Sequence, residues 1–115
     1  MRRALMVPAA ALAMATLLSG CENSAIRNWT NPTKQRLVEN GYTVSVIKND
    51  GWYASWFSPD APIATVPPLI LLKPAQIKAI EKVSGCRVVD ALYNATSAQP
   101  AFLEATVDCT ARPAS

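Results

Sequence analysis

Alternation of apolar and polar positions is clearest in the stretch "YTVSVIKNDGWYASWF", residues 42–57. Tyr42, Val44 and Val46 alternate with Thr43 and Ser45, and Trp52, Ala54 and Trp56 alternate in turn. Strand side chains point to opposite sheet faces in succession, so this pattern predicts strands near 42–48 and 52–57. Asn49-Asp50-Gly51 lies between them, and Asp-Gly suits the positive φ angles of a tight hairpin turn. Alternation alone assigns Val44, Val46, Trp52 and Trp56 to one face and Tyr53 and Phe57 to the other.

A second hairpin is expected in "CRVVDALYNATSAQPAFLEATVDC", residues 86–109, turning within Asn94–Pro100. If Cys86 faces Cys109, then Val88 faces Val107, Asp90 faces Ala105 and Leu92 faces Leu103. One register thus aligns the cysteines and most apolar residues, and directly opposed Cβ atoms lie at about the separation a disulfide needs. Asp90 is the misfit on that face.

Between the hairpins, "KPAQIKAIEKVSG" repeats Ile77, Ile80 and Val83 at helical spacing, with Ala79 beside them and Lys78, Glu81 and Lys82 opposite. Pro74 suits a helix start and Gly85 a helix end, which predicts a helix over about 74–84. The preceding "SPDAPIATVPPLILLKP" holds five of the nine prolines and reads as an extended connection. Its apolar segment Val66–Leu72 is expected to pack across the core, the alternative being a partner-binding segment. Upstream, "NPTKQRLVENG" has only Leu37 and Val38 as strong apolar residues. With Pro32 near one end and Asn40-Gly41 at the other, it reads as one or two helical turns or a structured loop. The fold expected is α+β: a small antiparallel sheet of two hairpins, about 42–57 and 86–109, with one main helix, about 74–84, packed on a face.

The start of the chain follows a different pattern. Met1-Arg2-Arg3 is followed by "ALMVPAAALAMATLL", residues 4–18, which carries no charge. A positive start, an apolar stretch and small residues make up an export signal. The run is shorter than the roughly 20 residues a spanning helix needs, and Pro8 interrupts it. It ends in Leu18-Ser19-Gly20-Cys21. This resembles the lipobox of bacterial lipoproteins, a resemblance confined to the signal segment. It implies that the Cys21 thiol takes a diacylglyceryl group, that cleavage falls between Gly20 and Cys21, and that further acylation, palmitate included, follows on the new amine. Glu22 stands where an aspartate would favour inner-membrane retention in enterobacterial lipoproteins, so the resemblance implies the periplasmic face of the outer membrane.

Domain organisation follows as a signal at 1–20, a tether at 21–30, one domain at 31–110 and a tail at 111–115. Removing the signal from the 115 residues leaves 95, enough for one small domain that gains from a cross-link. Cys86 and Cys109 are the two cysteines left, and an exported protein can oxidise them.

Charge and composition narrow the chemistry. The net charge of +3 includes Arg2 and Arg3, so the mature chain is near +1. Its basic residues are scattered rather than clustered, which argues against nucleic acid. The chain has no histidine, which excludes Ser-His-Asp and Cys-His sites, and no Gly-rich phosphate loop or metal-ligand spacing. Neither an enzyme nor a cofactor or metal is expected. The expected function is binding: an accessory component of an envelope assembly, held to the membrane by lipid on Cys21 and meeting an envelope protein partner. Trp52, Trp56, Leu69 and Ile70 are its candidate partner surface. The alternative is a periplasmic small-ligand binder or hydrolase inhibitor.

Overall fold

The computed structural model describes residues 24–61 and 64–110. The elements run α1 (Ser24–Trp29), β1 (Gln35–Glu39), β2 (Tyr42–Asn49), β3 (Trp52–Phe57), α2 (Leu69–Ser84), β4 (Arg87–Tyr93) and β5 (Leu103–Asp108). The five strands form one antiparallel sheet in the order β1-β2-β3-β5-β4. Helix α2 lies on one face and packs against all five strands. The fold is α+β, as the alternation implied, with both expected hairpins present.

The expected helix or loop over 31–40 is instead a fifth strand. Asn40-Gly41 does not end a helix; it forms the two-residue turn of a hairpin, with φ of 52° and 82°. Both central residues of a type I′ turn need positive φ, and Asn-Gly adopts it with the least strain. Glu39 therefore pairs with Tyr42, and Leu37 with Val44. The weak apolar content of this strand reflects its place at the sheet edge. Residues 24–29, expected to belong to a tether, form the short helix α1.

Helix α2 starts at Leu69, five residues before the expected Pro74. Pro68 is the N-cap residue, and its carbonyl accepts from the amides of Leu71 and Leu72. Pro74 therefore sits inside the helix, where it cannot donate to the Ile70 carbonyl. It lies on the exposed side, where water can satisfy that carbonyl. The C-terminus ends as expected: Gly85 takes φ 70° and its amide donates to the Glu81 carbonyl.

The core lies between α2 and the sheet. The buried helix residues are Leu72, Ala75, Gln76, Ala79 and Ile80, a continuous stripe at helical spacing. They meet Val44, Val46, Phe57, Leu103 and Ala105, with Ile77 and Val83 at the margin. The expected faces of the first hairpin are corrected here. A two-residue turn pairs Asn49 with Trp52, so even positions of β2 oppose odd positions of β3. Val44 faces Phe57 and shares the helix side with it, while Ser45 faces Trp56 and Ile47 faces Ala54 on the other side. There Ile47, Ala54, Trp56 and Phe102 form a second buried cluster, with Trp52 packed against it. Trp56 and Phe102 stack with centroids 6.0 Å apart.

The second hairpin starts in the expected register, with Val88 opposite Val107. Val89 then forms a bulge, and Asp90 pairs with Thr106, Ala91 with Ala105 and Tyr93 with Leu103. The extra residue reverses the facing of everything beyond it. Asp90 and Leu92 turn away from α2 and are exposed, and Ala91 and Tyr93 turn into its core. That resolves the misfit of Asp90: the carboxylate never enters the apolar face. The bulge also breaks the regular edge presented by β4.

Candidate functional site

Two surfaces carry the residues singled out from the sequence. The first is the entry to α2. Leu69, Ile70 and Leu71 are 45 %, 83 % and 53 % exposed, and only Leu72 of this apolar segment enters the core. The expectation that Val66–Leu72 packs across the core thus holds for one residue. The reason is helical: in a first turn against the sheet, one residue in three or four can face inward. Leu69 and Ile70, two of the candidate partner residues, lie on this ridge.

The second surface is on the face of the sheet away from α2. Trp56, at 1 % exposure, lies beneath it and offers nothing to a partner; Trp52 is half-buried at its margin. An open hollow of about 600 Å³ lies beside Trp52 and Phe102. Its rim comes from α1 and the connection to β1, from the end of β2, and from the β4–β5 loop. Asn28, Asn31, Asn49 and Asn94 line it, with Thr30, Thr96, Ser97, Arg27 and Glu104. Asn28 donates to the Gln99 side-chain carbonyl at 3.2 Å, and Asn94 donates to Glu104 at 3.0 Å. Asn31 reaches Asn49 at 3.5 Å and accepts from the amide and hydroxyl of Thr33.

Holding these surfaces together is a polar hub that sequence reasoning missed. Gln76 is fully buried in the stripe of α2. Its Nε2 donates to the Ser55 carbonyl at 3.1 Å and to the Ala101 carbonyl at 2.8 Å, and its Oε1 accepts from the Tyr93 hydroxyl. The chain bends at Ala101, which takes φ 52°, while the Pro100 carbonyl accepts from the Phe57 amide. One side-chain amide thereby joins α2 to β3, to the end of β4 and to the approach to β5. The signal available in the sequence was a glutamine four residues after Leu72 and four before Ile80, on the apolar stripe.

Burial pushes the Tyr93 hydroxyl up to about 12 from its ordinary 10.0. A raised phenol pKa means that the folded state holds the proton more tightly than the unfolded chain. That contribution is complete below pH 10 and is lost as pH rises from 10 towards 12. We expect the urea midpoint of the wild type to fall across this window more steeply than that of Tyr93→Phe. Parallel curves would show that Tyr93 ionises in the folded state as it does in water.

Glu39, 5 % exposed at the end of β1, is paired with the Lys82 ammonium of α2. Arg36 donates to Asp60 at 2.9 Å and to the Ser58 carbonyl at 2.7 Å, joining the edge strand to the segment after β3. These pairs are structural ties of the edge strand.

The Cys86–Cys109 disulfide is formed, with Cα atoms 4.4 Å apart, one pair beyond Arg87 and Asp108. It closes the open end of the second hairpin. Gly20 and Cys21, with the signal segment and Glu22, lie outside the described residues. Among the described residues no group of acidic or cysteine side chains could hold a metal ion, and no helix is long and apolar enough to cross a membrane. Comparison with family models, curated proteins and solved structures finds no match, so the reading of function rests on this chain's own residues.

Proposed function

We propose that this protein is a lipid-anchored component of a bacterial cell envelope that acts by binding, as an accessory part of an envelope assembly. The observation that carries the reading is Leu18-Ser19-Gly20-Cys21 at the end of the uncharged run 4–18. Two or more acyl chains on Cys21 suffice for lasting attachment, since each buried methylene contributes about 0.8 kcal/mol. Glu22 favours the periplasmic face of the outer membrane as the destination. The disulfide supports the same address, because such bonds persist in oxidising compartments. The exposed ridge Leu69-Ile70-Leu71 supports a protein partner, since contiguous apolar surface is rare on domains that meet only water.

The test is palmitate incorporation and membrane fractionation of wild type and Cys21→Ser. We expect label and membrane pelleting in the wild type and the loss of both in the variant. A wild type that takes no label and stays soluble would overturn the anchor. For the partner, photo-cross-linking from position 70 in intact cells should trap an envelope protein, and Ile70→Glu should abolish function while leaving the fold intact.

A second reading, a binder of small ligands in the periplasm, is favoured by the hollow beside Trp52.

A further inference from the structure

Four of the six asparagines in the chain line one hollow, although they stand at positions 28, 31, 49 and 94. Two of them have local duties. Asn31 and Asn94 each accept from a backbone amide two residues on, in the manner of turn asparagines. Asn28, in the last turn of α1, donates across to Gln99, and Asn49, at the start of the turn that leads to Trp52, accepts from Asn31. Even the turn residues aim their amide nitrogens across the rim, Asn31 towards Asn49 and Asn94 towards Glu104. The side chains are thus held in place before any ligand arrives, which lowers the entropy lost on binding.

The chemistry of the lining is specific. Half-buried Trp52 is the aromatic side chain open to the hollow, with Phe102, 4 % exposed, beneath it. Neutral amides and hydroxyls of Thr30, Thr96 and Ser97 surround it, and among the described residues that line the hollow the cation Arg27 is matched by the anion Glu104. A phosphate or carboxylate ligand would require an excess of cations, and a lipid or fatty acid would require an apolar wall. Paired amide donors and acceptors next to a half-buried indole suit a neutral molecule with one apolar face and many hydroxyls. A pyranose ring is such a molecule: its axial C–H groups stack on an aromatic face while its equatorial hydroxyls both donate and accept. The volume falls within the range of small-molecule sites.

We propose that this hollow binds a neutral saccharide, with one ring stacked on Trp52 and its hydroxyls hydrogen-bonded to Asn28, Asn49 and Glu104. The assignment deepens the small-ligand reading by naming the ligand class, and it is independent of the anchor, because a protein released from the membrane would still carry the hollow.

The test uses the full-length protein purified in detergent, observed by nuclear magnetic resonance through the Trp52 indole N–H and the asparagine side-chain amides. The probes are the N-acetylglucosamine trisaccharide and maltotriose, each titrated to about 10 mM, a concentration that detects the weak end of specific affinity. We expect at least one to shift the Trp52 and Asn49 signals saturably. Trp52→Ala should weaken binding at least about tenfold, equivalent to about 1.4 kcal/mol. Because Trp52 also packs on the second apolar cluster, Asn49→Ala serves as the variant that spares the core, with an expected weakening of about fivefold, while Ile70→Ser should bind as the wild type does. Absence of shifts with both saccharides would overturn the proposal. So would shifts that persist in both Trp52→Ala and Asn49→Ala, or a response to inorganic phosphate alone. Palmitate labelling is read on the same preparation, so loss of the anchor and failure of the saccharide site are seen separately.

Discussion

Replacing Gln76 by leucine should destabilise the domain by about 3–5 kcal/mol, although the two side chains are similar in size. The Ser55 and Ala101 carbonyls and the Tyr93 hydroxyl would all lose their partner inside the core. A buried polar group left unmet costs about 1–3 kcal/mol, and three such groups outweigh the apolar gain of leucine even after local relaxation. In a domain of this size each kcal/mol lowers Tm by about 4–8 °C, so the variant should melt tens of degrees lower or fail to fold at 37 °C. Gln76→Glu separates donor loss from packing. Its carboxylate would face two carbonyl oxygens at neutral pH with no proton to give. Burial would raise its pKa in the folded state, so that variant should be most stable at low pH and lose stability as pH rises. Thermal and urea unfolding of the three proteins at pH 4 and 7 decides the matter. A Gln76→Leu protein within about 1 kcal/mol of wild type would mean that water takes over the amide's bonds.

Removing the disulfide by replacing both Cys86 and Cys109 with serine should cost about 3 kcal/mol. The bond spans 23 residues, and the chain-entropy model assigns about this much to a loop of that length. The loss is large against the 5–15 kcal/mol that holds a typical domain folded. The second hairpin should suffer first, because the bond closes the end at which β4 and β5 leave the sheet. Hydrogen exchange should show β4 amides losing protection well before those of β2, since β4 is an edge strand with a bulge and β2 is paired on both sides. Equal loss across both strands would show that the sheet unfolds as one unit. Unchanged stability would show that the unfolded chain already keeps this loop closed.

Much of the architecture follows from local patterns. Period-two alternation identifies β2, β3, β4 and β5, because a half-buried strand must present alternate residues to the core. Asp50-Gly51 marks one turn, Gly85 the end of α2, and the two cysteines the closure of a hairpin, each through a conformational or covalent preference of the residue itself. The lipobox resemblance is likewise carried by four consecutive residues.

Other features depend on contacts between distant segments, and no local pattern contains them. Strand alternation identifies two faces but not which faces coincide; the two-residue turn sets the parity that puts Val44 with Phe57 and sends Trp56 to the opposite side. A single bulge at Val89 moves Asp90 out of the core and Tyr93 into it, and such a bulge is stabilised by what the neighbouring strand and helix require. The edge strand β1 shows little apolar character because one of its faces and its outer edge meet solvent, so it becomes a strand only by pairing with β2. Gln76 looks misplaced on an apolar stripe until the sheet and the bend at Ala101 bring the Ser55 and Ala101 carbonyls within reach of it. Asparagines at 28, 31, 49 and 94 look like unrelated polar residues until the sheet and its loops set them around one hollow. The sequence by itself determined strands β2 to β5, the body and end of α2, the Asp50-Gly51 turn, the cross-linked pair and the motif for the anchor, all of which depend on neighbours along the chain. Tertiary structure alone decided the facing of strands, the partners of buried polar groups and the gathering of a site, because those depend on neighbours in space.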